Sequence, residues 1–330
     1  MTILIIYGGT SPEHDVSLLS YLNIKDILLK AGFEVKALFI TKDGHFTFEG
    51  RSVSIVPGRG FLAEGKPISI DVILPLVHGN TGEDGKLQGL LEFLDFPYIS
   101  EGVTVSAIGM DKLRQTEMLK KTVPCLKTEK YTSPEDWTGC PLVMKPCFGG
   151  SSIGIHILTS GDETEIIKAA DDIRKNDPLP LMQSLVPDAR ELELLAVRDT
   201  EKDETLILGP VEIRKPHSFL SYEDKYSSGV TEVIPSSQTD LTEDKRNQLK
   251  EYARKVFDSL GGEVYMRIDF FMDRDGNVFF NEINTVPGMT KTSHFITLAD
   301  EIGIERLFRM LINASLERKR KMDLIRRSYE

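Results

Sequence analysis

Cysteine is scarce in this sequence, and its spacing offers no pairing. Only three cysteines occur in 330 residues, Cys125, Cys140 and Cys147, and none of them forms a CxxC pair. The N-terminus has no basic segment ahead of an apolar one, so it lacks the pattern of an export signal. We therefore expect no disulfide framework and interpret the cysteines as reduced packing residues. The six histidines include no HxxH or HExxH pair, which leaves a zinc site without support.

Long apolar runs and an excess of basic residues are also missing. Charged residues recur every few positions, so no segment reaches the roughly 18 uninterrupted apolar residues that a membrane helix requires. The 51 acidic residues against 40 basic ones give a net charge of -11, which disfavours binding to a phosphate backbone. We expect a cytoplasmic protein with no membrane and no nucleic-acid partner. A hydrophobic content of 40% is enough to fill the cores of several domains.

The first hundred residues alternate apolar strands with helical patterns. Strands are predicted over residues 3–7, 35–40 and 72–77, and an amphipathic helix over residues 16–31. This alternation is typical of a parallel sheet flanked by helices, in which ligands bind at the loops that follow the strands. Glu13 lies in the first such loop. It either holds a substrate ammonium group or only complements the positive N-terminus of the helix.

A second region begins near Ser106. It has a predicted helix through residues 110–121 and a strand over residues 142–145, followed by the turn Phe148-Gly149-Gly150-Ser151-Ser152. The β-branched residues after the turn predict another strand over residues 153–158. Lys145 and the amide and hydroxyl donors of the turn would form a phosphate-binding cradle, although a purely structural glycine turn is the alternative.

The remaining sequence favours a mixed or antiparallel sheet. Strands are predicted over residues 179–186, 192–197 and 206–213, and a helix over residues 244–260. Residues 215–237 are too many, and too rich in serine, tyrosine and charge, for an ordinary connection. We interpret them as an active-site lid, with a disordered surface loop as the alternative.

The segment from Val264 to Asn284 is the most informative part of the sequence. Two apolar runs flank residues 273–276, which predicts a β-hairpin with these four residues as its loop. In that register Arg267 opposes Glu282, and Asp269 opposes Phe280. Opposed residues share one face of a sheet. Four polar residues are therefore expected on one face: Arg267, Asp269, Glu282 and Asn284.

The oxygen atoms on that face predict a metal site. Two carboxylates and an amide, from Asp269, Glu282 and Asn284, are hard donors that suit Mg²⁺. Because Mg²⁺ keeps coordination positions for water and substrate phosphates, a nucleotide is implied as well. The alternative is a solvated hairpin face on which Arg267 and Glu282 form an ordinary cross-strand ion pair.

Taken in this order, the segments resemble the D-alanine–D-alanine ligases of the ATP-grasp superfamily. The resemblance spans nearly the whole chain and rests on these motifs: GGTSPEHDVSL (8–18), HGNTGEDGKLQGLLE (78–92), SAIGMDK (106–112), KPCFGGSSIG (145–154), SYEDKY (221–226), RIDF (267–270) and NEINTVPGMTKTS (281–293). It implies a three-domain α/β and α+β fold. The N-terminal parallel α/β domain would cover residues 1–104, the central ATP-grasp subdomain 105–186 and the C-terminal subdomain 187–330, with ATP between the last two.

The resemblance also implies a reaction. ATP would convert one D-alanine into D-alanyl phosphate, and the amine of a second D-alanine would displace the phosphate, for peptidoglycan precursor synthesis. Mg²⁺ or Mn²⁺ would assist, and the protein would be a homodimer. One alternative is a ligase of the same family that takes D-serine or another D-amino acid. The alternative from another class is a nucleotide-binding module without catalysis.

Residue roles follow from matching motifs. The resemblance implies that ATP contacts Lys112, Lys145, Gly150, Ser152, Gln183, Ser184, Val186, Glu191 and Lys225. It implies that the metal ligands are Asp269, Glu282 and Asn284. The implied catalytic residues are Glu13, Ser151, Lys225, Tyr226 and Arg267, where Glu13 holds the first substrate's ammonium and Arg267 steadies the oxyanion. The implied substrate contacts further include His78, Gly288, Ser293 and His294.

Three positions bear on how closely the chain follows the family. Tyr226 matches the lid tyrosine of amide-forming members, which favours the dipeptide over a D-lactate ester. His294 stands where family members often have an apolar residue beside the second substrate, and an imidazole there could alter acceptor preference. Gln183 occupies the position of a usual glutamate near the adenine. None of these changes removes an essential group.

Overall fold

The computed structural model describes residues 1–136, 141–214 and 232–327, and their strands form three sheets. The sheets occupy residues 2–75, 128–184 and 190–284. In the part of the chain that is described, no helix is both long and apolar enough to cross a membrane.

The N-terminal sheet has seven strands in the order β6-β5-β4-β3-β2-β1-β7. They are β1 (Thr2–Gly8), β2 (Glu34–Ile40), β3 (Phe46–Phe48), β4 (Arg51–Val56), β5 (Gly60–Ala63), β6 (Lys66–Pro67) and β7 (Val72–Pro75). Helix α1 (His14–Lys30) connects β1 to β2, and α2 (Lys86–Phe93) follows β7. Residues 3–6 of β1 are fully buried, as expected for a central strand with both faces covered.

The expectation of a parallel sheet is correct only for its centre. Strand β1 pairs in parallel with β2 and β7, whereas β3 to β6 join by antiparallel hairpins. Two of the hairpin turns have two residues with positive φ, Glu49-Gly50 at 51° and 75° and Glu64-Gly65 at 50° and 76°. These are the type I′ turns that suit the twist of paired strands. The two Glu-Gly pairs are therefore a sequence signal for hairpin turns, which the prediction of helices and strands did not take into account.

The central region opens with two helices rather than one. Helix α3 (Val103–Met110) ends at Asp111, whose φ of -92° and ψ of 91° are not helical, and α4 (Lys112–Leu119) begins after it. The Asp111 side chain accepts a hydrogen bond from the Arg114 amide and so caps α4. The prediction of one continuous helix was wrong because Asp111 stabilises a new start.

The central sheet is antiparallel, in the order β10-β9-β11-β8. Its strands are β8 (Thr128–Lys130), β9 (Leu142–Pro146), β10 (His156–Leu158) and β11 (Pro180–Ser184), with α5 (Glu163–Arg174) packed against it. The strand predicted from residue 153 begins only at His156, because Ser151 and Ser152 both adopt positive φ and extend the glycine turn.

The third sheet is antiparallel in the order β14-β13-β12-β15-β16, one of the two arrangements expected. Its strands are β12 (Arg190–Asp199), β13 (Glu204–Arg214), β14 (Glu232–Ile234), β15 (Tyr265–Met272) and β16 (Val278–Asn284). The helices of this region are α6 (Glu243–Leu260), α7 (His294–Ala299) and α8 (Ile304–Arg327). Short 3₁₀ turns lie at Pro134–Asp136 and Ser236–Gln238.

The predicted register of the β15–β16 hairpin was wrong, but the predicted shared face is present. Asp269 opposes Glu282, and Arg267 opposes Asn284, with an irregularity between Asp269 and Phe270. The loop has one residue more than predicted, and the irregularity adds a second one-residue shift. Each shift alone would move the side chains to the other face, whereas two together restore it.

Candidate active site

Two cavities meet at the glycine turn. The first, the inter-sheet cleft, lies between the central sheet and the β12–β15–β16 face of the third sheet. The second, the loop cavity, lies where the loops after β1 and β7 face the end of the hairpin. Six residues line both cavities: Lys112, Gly149, Gly150, Ser151, Glu193 and Glu282.

The residues predicted from the motifs fall on the walls of these cavities. The inter-sheet cleft is lined by Lys112, Lys145, Gly150, Ser152, Gln183, Ser184, Val186, Glu191, Asp269 and Glu282. The loop cavity is lined by Glu13, His78, Ser151, Arg267, Asn284, Gly288, Ser293 and His294. Lys225 and Tyr226, with the remainder of the predicted lid up to residue 231, lie outside the described residues.

Two lysines converge on the glycine turn. Lys112 Nζ donates to the Gly149 carbonyl at 2.6 Å and lies 3.1 Å from a Glu282 carboxylate oxygen. Burial by itself would lower the pKa of Lys112, but the Glu282 charge outweighs it and the pKa is raised. For Lys145, burial and then the charge of Lys112 lower the pKa to about 8. An anion placed beside both ammonium groups would raise the pKa of Lys145 again.

The Gln183 side chain is oriented by its two neighbours. Lys145 Nζ lies 2.9 Å from Gln183 Oε1, and an ammonium group can only donate, so the oxygen must face the lysine. Gln183 Nε2 then donates to the Thr128 hydroxyl at 2.9 Å, directly across the β8–β11 pair. The amide oxygen is thus the atom at the Lys145 side, next to the inter-sheet cleft.

Apolar side chains line another part of the inter-sheet cleft. They come from the central sheet and the segments beside its strands, from the connection after β11 and from β15, and include Leu126, Val143, Ile155, Ile157, Leu185, Val186 and Phe271. One part of this cleft is apolar, and another part has lysine ammonium groups and the hydrogen-bond donors of the glycine turn. Such a cleft suits a ligand with a flat base and a phosphate chain.

The polar face of the hairpin forms a charged network. Arg267 donates to both carboxylate oxygens of Asp269 at 2.8 Å, and Asn284 Nδ2 donates to Asp269 Oδ2 at 3.1 Å. Arg267 Nε also lies 3.0 Å from Glu193 Oε2. Burial raises the pKa of Asp269, and the charges of Glu193 and Glu282 raise it further. The charge of Arg267 lowers it, but by less than these effects together. Burial opposes the charge of Arg267, but Asp269 and Glu193 raise its pKa, so the guanidinium stays charged.

The donor set on this face fits Mg²⁺ only as a shared site. Asp269 and Glu282 are directly opposed, and Asn284 adds an amide beside them. Within residues 1–136, 141–214 and 232–327, no three His, Cys, Asp or Glu side chains form a metal cage. Two carboxylates and an amide leave positions for water and phosphate oxygens, which is how Mg²⁺ is usually held beside a nucleotide.

Glu13 joins the two cavities. The Ser151 hydroxyl, from the glycine turn, donates to Glu13 Oε1. Gly79 packs against the same carboxylate, since a Cβ added at Gly79 would lie only 2.2 Å from Glu13 Oε2. The Glu13 side chain makes no hydrogen bond that caps α1. The Glu13 carboxylate thus faces the glycine turn and does not cap the helix by a hydrogen bond.

His78 forms part of the loop-cavity wall and is buried. Its Nδ1 lies 2.9 Å from the Val286 carbonyl and 3.5 Å from Glu83 Oε1, and its Nε2 lies 3.2 Å from the Ser20 hydroxyl. Burial would lower the pKa of His78, but the hydrogen bond and charge of Glu83, with the charge of Glu13, raise it. These contacts fix the imidazole between α1 and the loop after the hairpin.

The far wall of the loop cavity is formed by the start of α7. The Ser293 hydroxyl is buried and has no hydrogen-bond partner in the part of the chain that is described. A Cβ added at Gly288 would meet nothing within 4 Å, so this glycine borders open space. His294 Nδ1 lies 2.8 Å from Glu193 Oε2, the same oxygen that faces Arg267.

Glu193 is a site residue that the sequence motifs missed. It lies two positions after Glu191 on β12, so the two carboxylates share a face. The alternation was available in the sequence, but only the register places Glu193 opposite Asp269. Its side chain lines both cavities and contacts two of the predicted residues.

Comparisons with known proteins agree with this arrangement. The family model "D-ala D-ala ligase N-terminus" matches residues 2–101, and "D-ala D-ala ligase C-terminus" matches residues 92–316. A D-alanine–D-alanine ligase of Geobacillus thermodenitrificans is 32% identical over 368 residues, covering 99% of this chain and 98% of the relative.

Two solved structures have the same fold over nearly their whole length. The D-alanine–D-alanine ligase of Coxiella burnetii superposes with a TM-score of 0.86 at 25% identity, covering 100% of this chain and 97% of the other. D-alanyl-alanine synthetase A of Vibrio cholerae gives a TM-score of 0.85 at 27% identity, covering 96% and 98%. These likenesses confirm the predicted ATP-grasp fold and the resemblance drawn from the motifs. The chain belongs to the D-alanine–D-alanine ligase family.

Proposed function

We propose that the protein joins two D-alanine molecules into D-alanyl-D-alanine at the expense of ATP, a step in peptidoglycan precursor synthesis. The observation that carries this proposal is the shared wall of the two cavities. Lys112, Glu282 and the glycine turn line both. A terminal phosphate bound in the inter-sheet cleft would therefore face a carboxylate bound in the loop cavity.

The first half-reaction follows from that placement. The apolar part of the inter-sheet cleft would take the base, Glu191 the ribose, and Lys112 and Lys145 the phosphates. Glu13 would pair with the ammonium group of the first D-alanine. The carboxylate oxygen of that substrate then attacks the γ-phosphorus, the bond from the γ-phosphorus to ADP breaks, and D-alanyl phosphate forms. Positioning and charge neutralisation supply most of the catalysis.

The second half-reaction takes place in the loop cavity. The second D-alanine would bind at the open space beside Gly288 and at the Ser293 hydroxyl, which has no hydrogen-bond partner among the described residues. Its amine attacks the acyl carbon, the bond to the phosphate oxygen breaks and phosphate leaves. Arg267, held by Asp269 and Glu193, would stabilise the oxyanion of the tetrahedral intermediate. The predicted lid residues Lys225 and Tyr226 would close over the transferring phosphate.

We also propose that Asp269, Glu282 and Asn284 hold Mg²⁺ or Mn²⁺. The oxygen donors on one hairpin face support this, together with the space left for phosphate oxygens. When bound, the metal would neutralise charge on the ATP phosphates. The metal would add to the charge of Lys145, because Lys112 and Arg267 already face the carboxylates of Glu282 and Asp269.

Phosphate release from ATP tests the proposed function. We expect release only when D-alanine and Mg²⁺ are both present, loss of release with EDTA, and recovery on adding Mg²⁺ or Mn²⁺. Mass spectrometry of the product should give the D-alanine dipeptide. Release without D-alanine, or no release with it, would reject the ligase assignment. If D-alanyl-D-serine is the preferred product when D-serine is also supplied, the protein is a D-alanine–D-serine ligase, which is the alternative.

The whole-protein properties implied by the resemblance are proposed on the same basis. We propose a cytoplasmic homodimer with domains over residues 1–104, 105–186 and 187–330. Leu22 and Leu29 of α1 are 58% and 47% exposed, and a second copy could cover them. Sedimentation velocity would measure the oligomeric state.

A further inference from the structure

The second half-reaction requires a proton acceptor that the family motifs do not supply among the described residues. This requirement rests on the proposed function. A D-amino acid enters as an ammonium ion, and its nitrogen has no lone pair for attack until one proton has been removed. A group on the wall of the loop cavity must therefore accept that proton or leave it to solvent.

Most proton-accepting groups on this wall are already engaged. Glu13 accepts a hydrogen bond from Ser151 and is assigned to the first substrate's ammonium. Glu83 accepts from the Gly79 amide at 3.1 Å. Both ring nitrogens of His78 lie within hydrogen-bond distance of oxygen atoms, at 2.9 and 3.2 Å. Glu13 and Glu83 thus each already hold a donor of the protein, and the imidazole of His78 has an oxygen atom beside both of its nitrogens.

His294 differs from them in one respect. Its Nδ1 lies 2.8 Å from Glu193 Oε2, and because an ionised carboxylate only accepts, Nδ1 must carry hydrogen. In the neutral imidazole, Nε2 then carries the lone pair. Across residues 1–136, 141–214 and 232–327, no partner of Nε2 is recorded, and His294 lines the loop cavity.

Glu193 is suited to orient this imidazole. Its carboxylate is only 6% exposed, and Oε2 is shared between His294 and Arg267 Nε at 3.0 Å. Arg267 and His294 therefore face the same carboxylate oxygen, which fixes the imidazole tautomer and would stabilise the imidazolium. A buried carboxylate behind an imidazole is the arrangement that general bases use in unrelated enzymes.

We propose that His294 is the catalytic base for the amine of the second substrate and that Glu193 is its positioning residue. Nε2 takes one proton from the ammonium, and the freed lone pair forms the C–N bond with the acyl carbon. The C–O bond to phosphate then breaks, and the second proton of the amine leaves with the phosphate. The imidazolium returns its proton to solvent, so one proton is released per dipeptide.

The charges around the imidazole are few in the described part of the chain. Helix α7 packs against β12, β13 and α8. From β12 the imidazole faces Glu193, and behind that carboxylate stands Arg267 of β15. No ionisable group of β13 or α8 is recorded in contact with His294 within the described ranges.

Hydroxylamine separates the proposed base from the remainder of the reaction. It is largely unprotonated at neutral pH, so it captures the acyl phosphate as a hydroxamate without needing a base. In His294→Gln the amide can still donate to Glu193 but cannot accept a proton. We expect dipeptide formation to fall by about a hundredfold, the low end for general base catalysis. Hydroxamate formation from ATP, D-alanine and hydroxylamine should stay within about twofold of the original protein.

Three outcomes would overturn the proposal. They are equal losses in both assays, an unchanged dipeptide rate, and a raised KM for the second D-alanine with unchanged kcat. The unaltered protein gives a check that needs no variant: its dipeptide rate should fall at acid pH along a limb that is absent from the hydroxamate rate when this rate is expressed per concentration of unprotonated hydroxylamine. A shared limb would also reject the base. By contrast, no hydroxamate at all from the unaltered protein would count against the proposed function itself.

Glu193→Gln tests the positioning role. A neutral amide behind the imidazole would stabilise the imidazolium less, so the acid limb of the dipeptide rate should move to lower pH. Dipeptide formation at the optimum should fall by about tenfold, less than in His294→Gln. An acid limb that does not move would show that Glu193 supports only the packing of Arg267.

Discussion

At the scale of single residues, Lys145 shows how a neutral neighbour affects the chemistry of a buried charge. The buried ammonium of Lys145 lies 2.9 Å from the neutral amide oxygen of Gln183. Burial and the charge of Lys112 then hold the pKa of Lys145 at about 8. A bound phosphate would supply the missing negative charge, so nucleotide binding and the charge of Lys145 are coupled.

Gly288 allows a prediction about the second substrate. In Gly288→Ala the new methyl group would meet no protein atom within 4 Å, and the backbone there is not in the left-handed region. The free energy of unfolding should therefore change little, within about 0.5 kcal/mol. The methyl group would instead occupy the loop cavity and raise KM for the second D-alanine by about tenfold or more. Steady-state kinetics with urea titrations would measure both.

An unchanged KM in Gly288→Ala would place the second substrate elsewhere. A loss of stability alone would show that Gly288 serves the fold.

The sequence was sufficient to choose residues that line the two cavities, but not to predict how they pair. The motifs named Glu13, Arg267 and Glu282, and all three line the loop cavity. Glu193 was missed because its importance comes from opposing Asp269 across two strands, a relation between distant segments. His294 was noted as unusual, but its carboxylate partner became visible only in three dimensions.

At the scale of elements, the β15–β16 hairpin shows why a wrong register can still give the correct face. The loop length and the irregularity beside Asp269 each displaced the pairing by one residue. Successive side chains of a strand point to opposite faces, so a register shift of two residues in total leaves the same residues on the polar face. Sequence patterns record which residues share a face more reliably than which residues are opposed, because local irregularities change only the latter.

The Glu49-Gly50 turn gives a prediction at this scale. Gly50 has a φ of 75°, and a Cβ added there would also meet nothing within 4 Å. Gly50→Ala therefore isolates the cost of a left-handed conformation, which we expect to lower the free energy of unfolding by about 1 kcal/mol. Ligase activity should not change, since the turn joins β3 and β4 away from both cavities.

Gly288→Ala is the matched control for Gly50→Ala, because both add a methyl group to open space. Urea denaturation should show a loss of stability only in Gly50→Ala, and phosphate release at low D-alanine concentration should fall only in Gly288→Ala. A normal stability of Gly50→Ala would mean that the turn relaxes to another conformation.

At the scale of the whole molecule, buried polar contacts tie the N-terminal region to the third sheet. Glu101 accepts hydrogen bonds from the Glu263 and Val264 amides at 3.0 and 2.9 Å, just before β15. Arg318 of α8 donates to the Ser100 carbonyl nearby. These contacts join residues more than 160 positions apart, as the Glu101–Glu263 separation of 162 shows. No local pattern could have predicted them, although the order of the sheets followed from the motifs.

Glu101 makes the stability of the whole molecule depend on pH. Its carboxyl is fully buried, and burial raises its pKa to about 7 against the amide hydrogen bonds that favour the charged form. A carboxyl in the unfolded chain titrates near its ordinary value of about 4.3, so between these values the folded state holds a proton that the unfolded state has released. The free energy of unfolding should therefore decrease as pH rises from about 4.5 to 7 and then level off, with a total change of about 3 kcal/mol.

Glu101→Gln isolates this contribution, because the amide oxygen can still accept from Val264 and the side chain no longer titrates. Urea denaturation of both proteins between pH 5 and 8 would give the difference in unfolding free energy at each pH. We expect the unaltered protein to lose stability relative to the variant as pH rises through this range. A difference that is independent of pH would mean that Glu101 is ionised in the folded protein throughout, with Arg318 as its counter-charge. The contact would then be a permanent ion pair between the two regions rather than a titrating one.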